Sequence, residues 1–116
     1  MALILKKTTS YEWPVAFEVP ADGGRFDKIS FTAKFERVHQ ARIDAIVAEM
    51  RSENSGVNDQ SITDEVLIGW DKVNDEDGNP LDFTPVNRAA VLDIPGVRAA
   101  VVRAWFESLA GTKRKN

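Results

Sequence analysis

The 116-residue chain contains no cysteine, which removes disulfides, thiol nucleophiles and zinc sites built on thiolates. His39 is the single histidine, so a histidine-rich metal cluster is excluded too, and no metal or cofactor is expected. Long apolar runs are missing, and no window approaches the length needed to span a bilayer. The opening Met1-Ala2-Leu3-Ile4-Leu5-Lys6-Lys7 places a short apolar run before two lysines. A secretory signal has its charge first and a longer apolar stretch after it. The expected location is therefore the cytoplasm in which the chain is made. A strong charge of one sign is also lacking: the formal net charge is −3, where a general nucleic-acid binder carries a basic surplus.

Catalytic signatures are equally sparse. No G-x-S-x-G sequence surrounds a serine, and no glycine-rich loop leads into a helix where a phosphate could sit. Gly23-Gly24 precedes a strand pattern and reads as a tight reversal. The acidic stretch Asp71-Lys72-Val73-Asn74-Asp75-Glu76-Asp77-Gly78 invites comparison with a calcium loop. With Gly78 at loop position 6, Asp75 and Asp77 fit, but Val73 stands where position 1 needs an oxygen ligand and Thr84 where position 12 needs a glutamate. A solvated turn accounts for it better. His39, beside Gln40 at a helix start, has no nucleophile motif to serve, and the basic Lys113-Arg114-Lys115 reads as a solubilising terminus. The chain is not expected to be an enzyme.

What is present is ordinary globular material. Hydrophobic residues make up 43% and charged residues 28% of the chain, enough for one core, while the length leaves no room for two. Residues 1–111 are expected to form a single α+β domain, followed by a flexible basic tail over 112–116.

Two segments alternate with period two. In residues 12–19, Trp13, Val15, Phe17 and Val19 share one face; in residues 28–36, Ile29, Phe31, Ala33 and Phe35 do the same. That pattern predicts two strands with one buried face each, joined by Pro20-Ala21-Asp22-Gly23-Gly24 as an antiparallel β-hairpin. Pro14 cannot donate to a ladder, which places its strand at an open edge. Residues 2–6 are the candidate for a third strand.

The period then changes to that of a helix. Ile43, Ile46, Val47 and Met50 predict an amphipathic helix over 38–51, followed by a polar loop over 52–60. Ser61 reads as an N-cap with Asp64 and Glu65 near the positive helix end, and Ile62, Val66, Trp70 and Val73 extend that second helix to about Lys72. A turn over 74–80 follows. Thr84-Pro85 then opens a short helix to Leu92, and a last helix runs to about Ala110 with Gly111 as its stop. The expectation is a hairpin packed on about four helices, with Trp13, Phe17, Phe31, Ile46, Trp70 and Trp105 in one core.

The last helix is wider in its apolar face than a single core contact requires. Val97, Val101, Ala104 and Trp105 form one stripe, and Val102, Phe106 and Leu109 broaden it. Two readings stay open. All of these residues are core, as a small domain demands of its aromatics, or Val102, Phe106 and Leu109 contribute a protein-binding surface.

The run Gly69-Trp70-Asp71-Lys72-Val73-Asn74-Asp75-Glu76-Asp77-Gly78-Asn79-Pro80-Leu81-Asp82-Phe83-Thr84-Pro85-Val86-Asn87 is distinctive. Together with Leu92-Asp93-Ile94-Pro95-Gly96-Val97-Arg98 and Ala104-Trp105-Phe106-Glu107-Ser108-Leu109-Ala110-Gly111, it resembles the tail assembly chaperones of long-tailed bacteriophages and prophages. Phe31-Thr32-Ala33-Lys34-Phe35-Glu36-Arg37 before an amphipathic helix extends the resemblance over most of the chain. The resemblance implies a non-enzymatic protein that binds the tape-measure protein while tail-tube subunits assemble around it. It also implies the tail-tube protein as a second candidate partner, the bacterial host cytoplasm as location, and absence from the mature virion. A head–tail connector or minor tail protein, and a small host regulatory protein-binding domain, are the alternative classes.

The resemblance further implies two products of different length, the longer made when ribosomes slip back one nucleotide near the end of the gene. Arg114-Lys115-Asn116 is what the slippery heptamer A-AAA-AAC encodes after an arginine codon ending in A. Other codons encode the same three residues, so the nucleotide sequence of the gene decides: that heptamer would permit slippage at this site. A spelling such as CGT-AAG-AAT, with no slippery alternative just upstream, would exclude slippage at this site.

Overall fold

The computed structural model describes Leu3 and residues 9–52 and 58–110. Strands β1 (Ser10–Ala21) and β2 (Arg25–Glu36) form the hairpin, antiparallel from Ser10 opposite Glu36 to Ala21 opposite Arg25. Gly23 and Gly24 take φ of 81° and 77° at the reversal, a conformation that a Cβ penalises. Both strands outrun the predicted alternation, because pairing continues where burial stops. Val15, Phe31, Ala33 and Phe35 are buried, whereas residues 22–30 are all exposed. The far end of the hairpin is thus an arm held by backbone hydrogen bonds rather than by a core.

Helix α1 (Gln40–Met50) lies within the predicted bounds and buries only Ile46. Helix α2 (Asp59–Val66) corrects the sequence reading in two ways. Its N-cap is Asn58, whose Oδ1 accepts from Ser61 N at 2.9 Å, while Asn58 N donates to Ser61 Oγ at 2.8 Å. Ser61 is therefore the third helical residue of a capping box. Asp59 and Gln60, expected in a loop, are helical, and Asp59 rather than Asp64 or Glu65 stands in the first turn.

The helix also stops at Val66, and β3 (Leu67–Asp71) follows directly. Helical spacing of Ile62, Val66, Trp70 and Val73 had concealed a strand. β3 pairs antiparallel with β2, Phe35 opposite Leu67 and Ala33 opposite Trp70, with a bulge between Lys34 and Phe35. Pairing satisfies the backbone of a β-branched, aromatic segment that contains a glycine, all poor helix features. Gly69 sits under Lys34, whose side chain would lie 3.3 Å from a Cβ placed there. The sheet order is β1-β2-β3, so the third strand comes from mid-chain. Apart from exposed Leu3, the proposed strand over 2–6 lies outside the described residues, as do residues 53–57 of the expected loop, the Gly111 stop and the tail.

Among the described residues β2 is the central strand and β1 an edge strand. Pro14 and Pro20 share the even positions, whose backbone groups turn away from β2. They remove two donors from that open edge, a feature that discourages pairing with other chains.

Residues 73–81 form a tight excursion. Leu81 N donates to Val73 O at 2.8 Å, Asn74 bridges Pro80, and Gly78 takes φ of 84°. Asp75 Oδ1 accepts from Asp77 N at 2.9 Å and Asn79 N at 3.0 Å. Trp70 closes the excursion: its Nε1 donates to Leu81 O at 2.7 Å and its ring meets Phe83 edge-on at 4.8 Å. The acidic turn of the sequence motif is thus tied down by the tryptophan before it and the phenylalanine after it.

Helix α3 (Pro85–Leu92) begins as predicted, Thr84 Oγ1 accepting from Asn87 N at 3.1 Å with proline in the first turn. Helix α4 (Val97–Leu109) follows Gly96, which has φ of 92°. Six of its residues are buried, Trp105 completely. The architecture is α+β, with a three-stranded antiparallel sheet and four helices among the described residues. Of the expected core, Phe31, Ile46 and Trp105 are buried, whereas Trp13, Phe17 and Trp70 are half-buried and pack against its margin.

A fork of ion pairs ties α1 to α2. Arg42 Nε and Nη2 each donate to Glu65 at 2.7 Å, and Nη1 reaches Glu49 at 3.3 Å. Hydrogen bonding from Arg42 holds the Glu65 carboxyl below its ordinary value of 4.5. A lowered folded pKa means that the contribution of Glu65 is present above that ordinary value and is lost as pH falls through the folded one. The stability gap between wild type and Glu65→Gln is expected to narrow on acidification; a gap constant with pH would show that the pair does not contribute.

Trp70→Ala is expected to cost about 3 kcal/mol, the low end for a large aromatic because the ring is half-exposed. Trp70→Phe should cost about 1 kcal/mol by leaving the Leu81 carbonyl unpaired. Denaturant midpoints check both, and an unchanged midpoint for Trp70→Ala would rule out the closure described for residues 73–81.

Candidate protein-binding groove

The wide apolar face of α4 has a packing explanation. β1, α2 and α3 all pack against this helix, so it needs apolar side chains on most of its circumference. Val102 is 6% exposed and belongs to the core; it is corrected out of any docking surface, because a partner cannot reach it in this fold. Phe106 is half-buried, edge-on to Trp105 at 4.9 Å and packed against the core. Leu109 is 40% exposed. The three sequence-predicted residues therefore form no common patch, and only Leu109 presents substantial surface.

Leu109 does line a hollow, together with Tyr11, Trp13, Arg37, Val38 and Ser108, of about 470 Å³. Trp13 links it to a second hollow of about 530 Å³, bordered by Pro14, Ala16, Ala100, Arg103 and Ala104. Ala16 and Arg103 continue into a third of about 430 Å³, reaching Phe17, Gly96 and Ala99. These hollows form one groove between the open edge of β1 and the length of α4. Sequence reasoning found one wall of it. The β1 wall was signalled by Pro14, but pairing that edge with α4 required the tertiary structure.

The Leu109 end of the groove is fixed by polar contacts. Ser108 Oγ donates to Trp105 O at 2.6 Å, which leaves it to accept from the Tyr11 hydroxyl at 2.7 Å. Tyr11 also stands edge-on to Phe35 at 5.9 Å and carries the Arg37 guanidinium over its ring at 5.0 Å.

Charged residues of both signs line the groove: Glu12, Glu18 and Glu107 with Lys28, Arg37 and Arg103. Arg103 is exposed and makes no ion pair among the described residues.

Elsewhere, a smaller apolar cleft of about 210 Å³ lies between Phe17, Ile29, Leu81, Val91 and Ile94, with Lys72 on its rim. Lys72 has φ of 64°, the one positive value at a non-glycine among the described residues. His39 precedes α1 and makes no side-chain cap. Among the described residues, no three His, Asp or Glu side chains are grouped to hold a metal ion, and no helix is long and apolar enough to cross a membrane. No family model, curated protein or solved structure matches the chain, so the geometry stands on its own beside the motifs.

Proposed function

We propose that the chain is a non-enzymatic tail assembly chaperone of a long-tailed phage or prophage. It holds the tape-measure protein in the host cytoplasm while tail-tube subunits assemble, and is left out of the finished particle. The motif from Gly69 to Pro85 and the closing segment around Trp105 support this assignment by resemblance. The structural observation that carries it is the groove along β1 and α4, an open surface hollow that ends at exposed Leu109.

Co-expression with the tape-measure protein is the test. Wild-type chain is expected to raise the soluble fraction of that protein. Leu109→Asp should abolish the effect while changing folding stability by no more than about 1 kcal/mol, as for a surface substitution. Recovery of the chain in purified virions at structural stoichiometry would instead assign it to the connector or minor tail proteins. A tape-measure protein that is equally insoluble with and without the chain would reject the chaperone role outright.

A further inference from the structure

We infer that the cleft beside Lys72 receives one leucine or phenylalanine side chain of a partner protein, next to an aspartate or glutamate that pairs with Lys72. The inference rests on the proposed function only in taking the partner to be a protein.

The cleft lies where the hairpin, the 73–81 excursion and the start of α4 meet without closing. Phe17 and Ile29 are the next pair beyond Val15 and Phe31 on the inner face of the hairpin. Buried Phe31 and Val97 form the floor, while Ile29 and Ile94, 39% and 45% exposed, stand at the mouth. The volume of about 210 Å³ is below the several hundred Å³ usual for a small-molecule site. It suits one large apolar side chain, the kind of anchor on which protein interfaces depend.

Charge selects what accompanies that anchor. Unlike the groove along β1 and α4, this cleft has a single charged residue in its lining, Lys72, with Ser30 and Asn74 as the other polar groups. Acidic residues adjoin the lining in sequence, among them Asp71, Asp82 and Asp93, but none of them lines the cleft. Lys72 makes no ion pair among the described residues.

The lysine is also held at a backbone cost. Its φ of 64° is a left-handed value that glycine takes freely and a Cβ penalises. The hydrogen bond from Leu81 N to Val73 O fixes the chain immediately after it. On backbone grounds the position favours glycine, so the contribution of Lys72 is through its side chain. A side chain that fills the cleft strips water from the mouth, and an ammonium there loses hydration unless an acceptor replaces it. A carboxylate beside the anchor supplies a charge-assisted hydrogen bond, whereas a lysine or arginine in that place is repelled.

The test uses the full chain and capped peptides of about ten residues, long enough to cross the cleft when extended. The first carries one phenylalanine flanked by glutamates in a glycine–serine background. The second replaces those glutamates with lysines, and the third replaces the phenylalanine with alanine. In amide and methyl NMR spectra, the first peptide is expected to shift the Ile29 and Ile94 methyls and the Lys72 amide saturably. Lys72→Glu should raise its dissociation constant about tenfold and improve binding of the lysine peptide. Lys72→Gly should weaken the first peptide about threefold without lowering the thermal midpoint, because it removes the charge and relieves the backbone. The alanine peptide should give no saturable shift, and circular dichroism checks that both variants fold.

No saturable shift from the first peptide, equal binding of the lysine or alanine peptide, or indifference to Lys72→Glu would each overturn the inference. Equal affinity for phenylacetate would overturn it in favour of a small free acid. Methyl shifts that follow protein concentration and vanish in Phe26→Ser would overturn it in favour of a second copy of the chain. If the first peptide binds but the tape-measure protein is not held soluble, the proposed function fails while this inference stands. If wild type and Lys72→Glu hold the tape-measure protein equally, only this inference fails.

Discussion

Complete burial of Trp105 on α4 is the constraint around which the other elements are arranged. A helix carrying this side chain needs partners on several sides, and the sheet, α2 and α3 supply them. The enclosure has a cost. Trp105 Nε1 is buried without a hydrogen-bond partner, as is Arg98 Nε two turns earlier on the same side of α4. An unpaired buried donor costs roughly 1–3 kcal/mol, of the same order as the gain from burying a large side chain. The fold tolerates the orphan because moving the ring would open the centre of the domain.

The sequence revealed most clearly what depends on one local period. Alternation around Val15 and Phe31 identified the hairpin, and Thr84-Pro85 and Gly96 punctuated the last two helices. Trp70 shows how such signals mislead. Its spacing from Ile62 and Val66 is helical, yet it pairs with Ala33 in a strand, because β2 offers an otherwise unpaired edge. No local pattern contains that offer. Ser61 failed similarly: an N-cap and the third residue of a capping box draw on the same residue types, and Asn58 occupied the earlier position.

The candidate site was legible only in part. Excess apolarity on α4 was visible, but periodicity cannot tell a helix packed by several neighbours from one with a free face. Val102 was absorbed by the core, while Leu109, beyond the reach of those neighbours, was left at the surface. The β1 wall arises from a second requirement. An edge strand in a small sheet must be prevented from pairing with other chains, and Pro14, which helps meet this requirement, also borders the groove. One device thus limits unwanted association and leaves space for a selective partner.

The hairpin arm leads to a different consequence. Its outer rungs, Val19 opposite Asp27 and Pro20 opposite Phe26, stand clear of the buried cluster, and Phe26 is 63% exposed. Amide hydrogens on these rungs can open without disturbing Trp105, so their exchange with solvent reports local fraying rather than global unfolding. Inward along the same ladder, towards Val15 and Phe31, opening must progressively disrupt the core. The two strands therefore act as a built-in gauge of protection, graded from the freely exchanging Gly23-Gly24 turn to the slowest amides beneath α4.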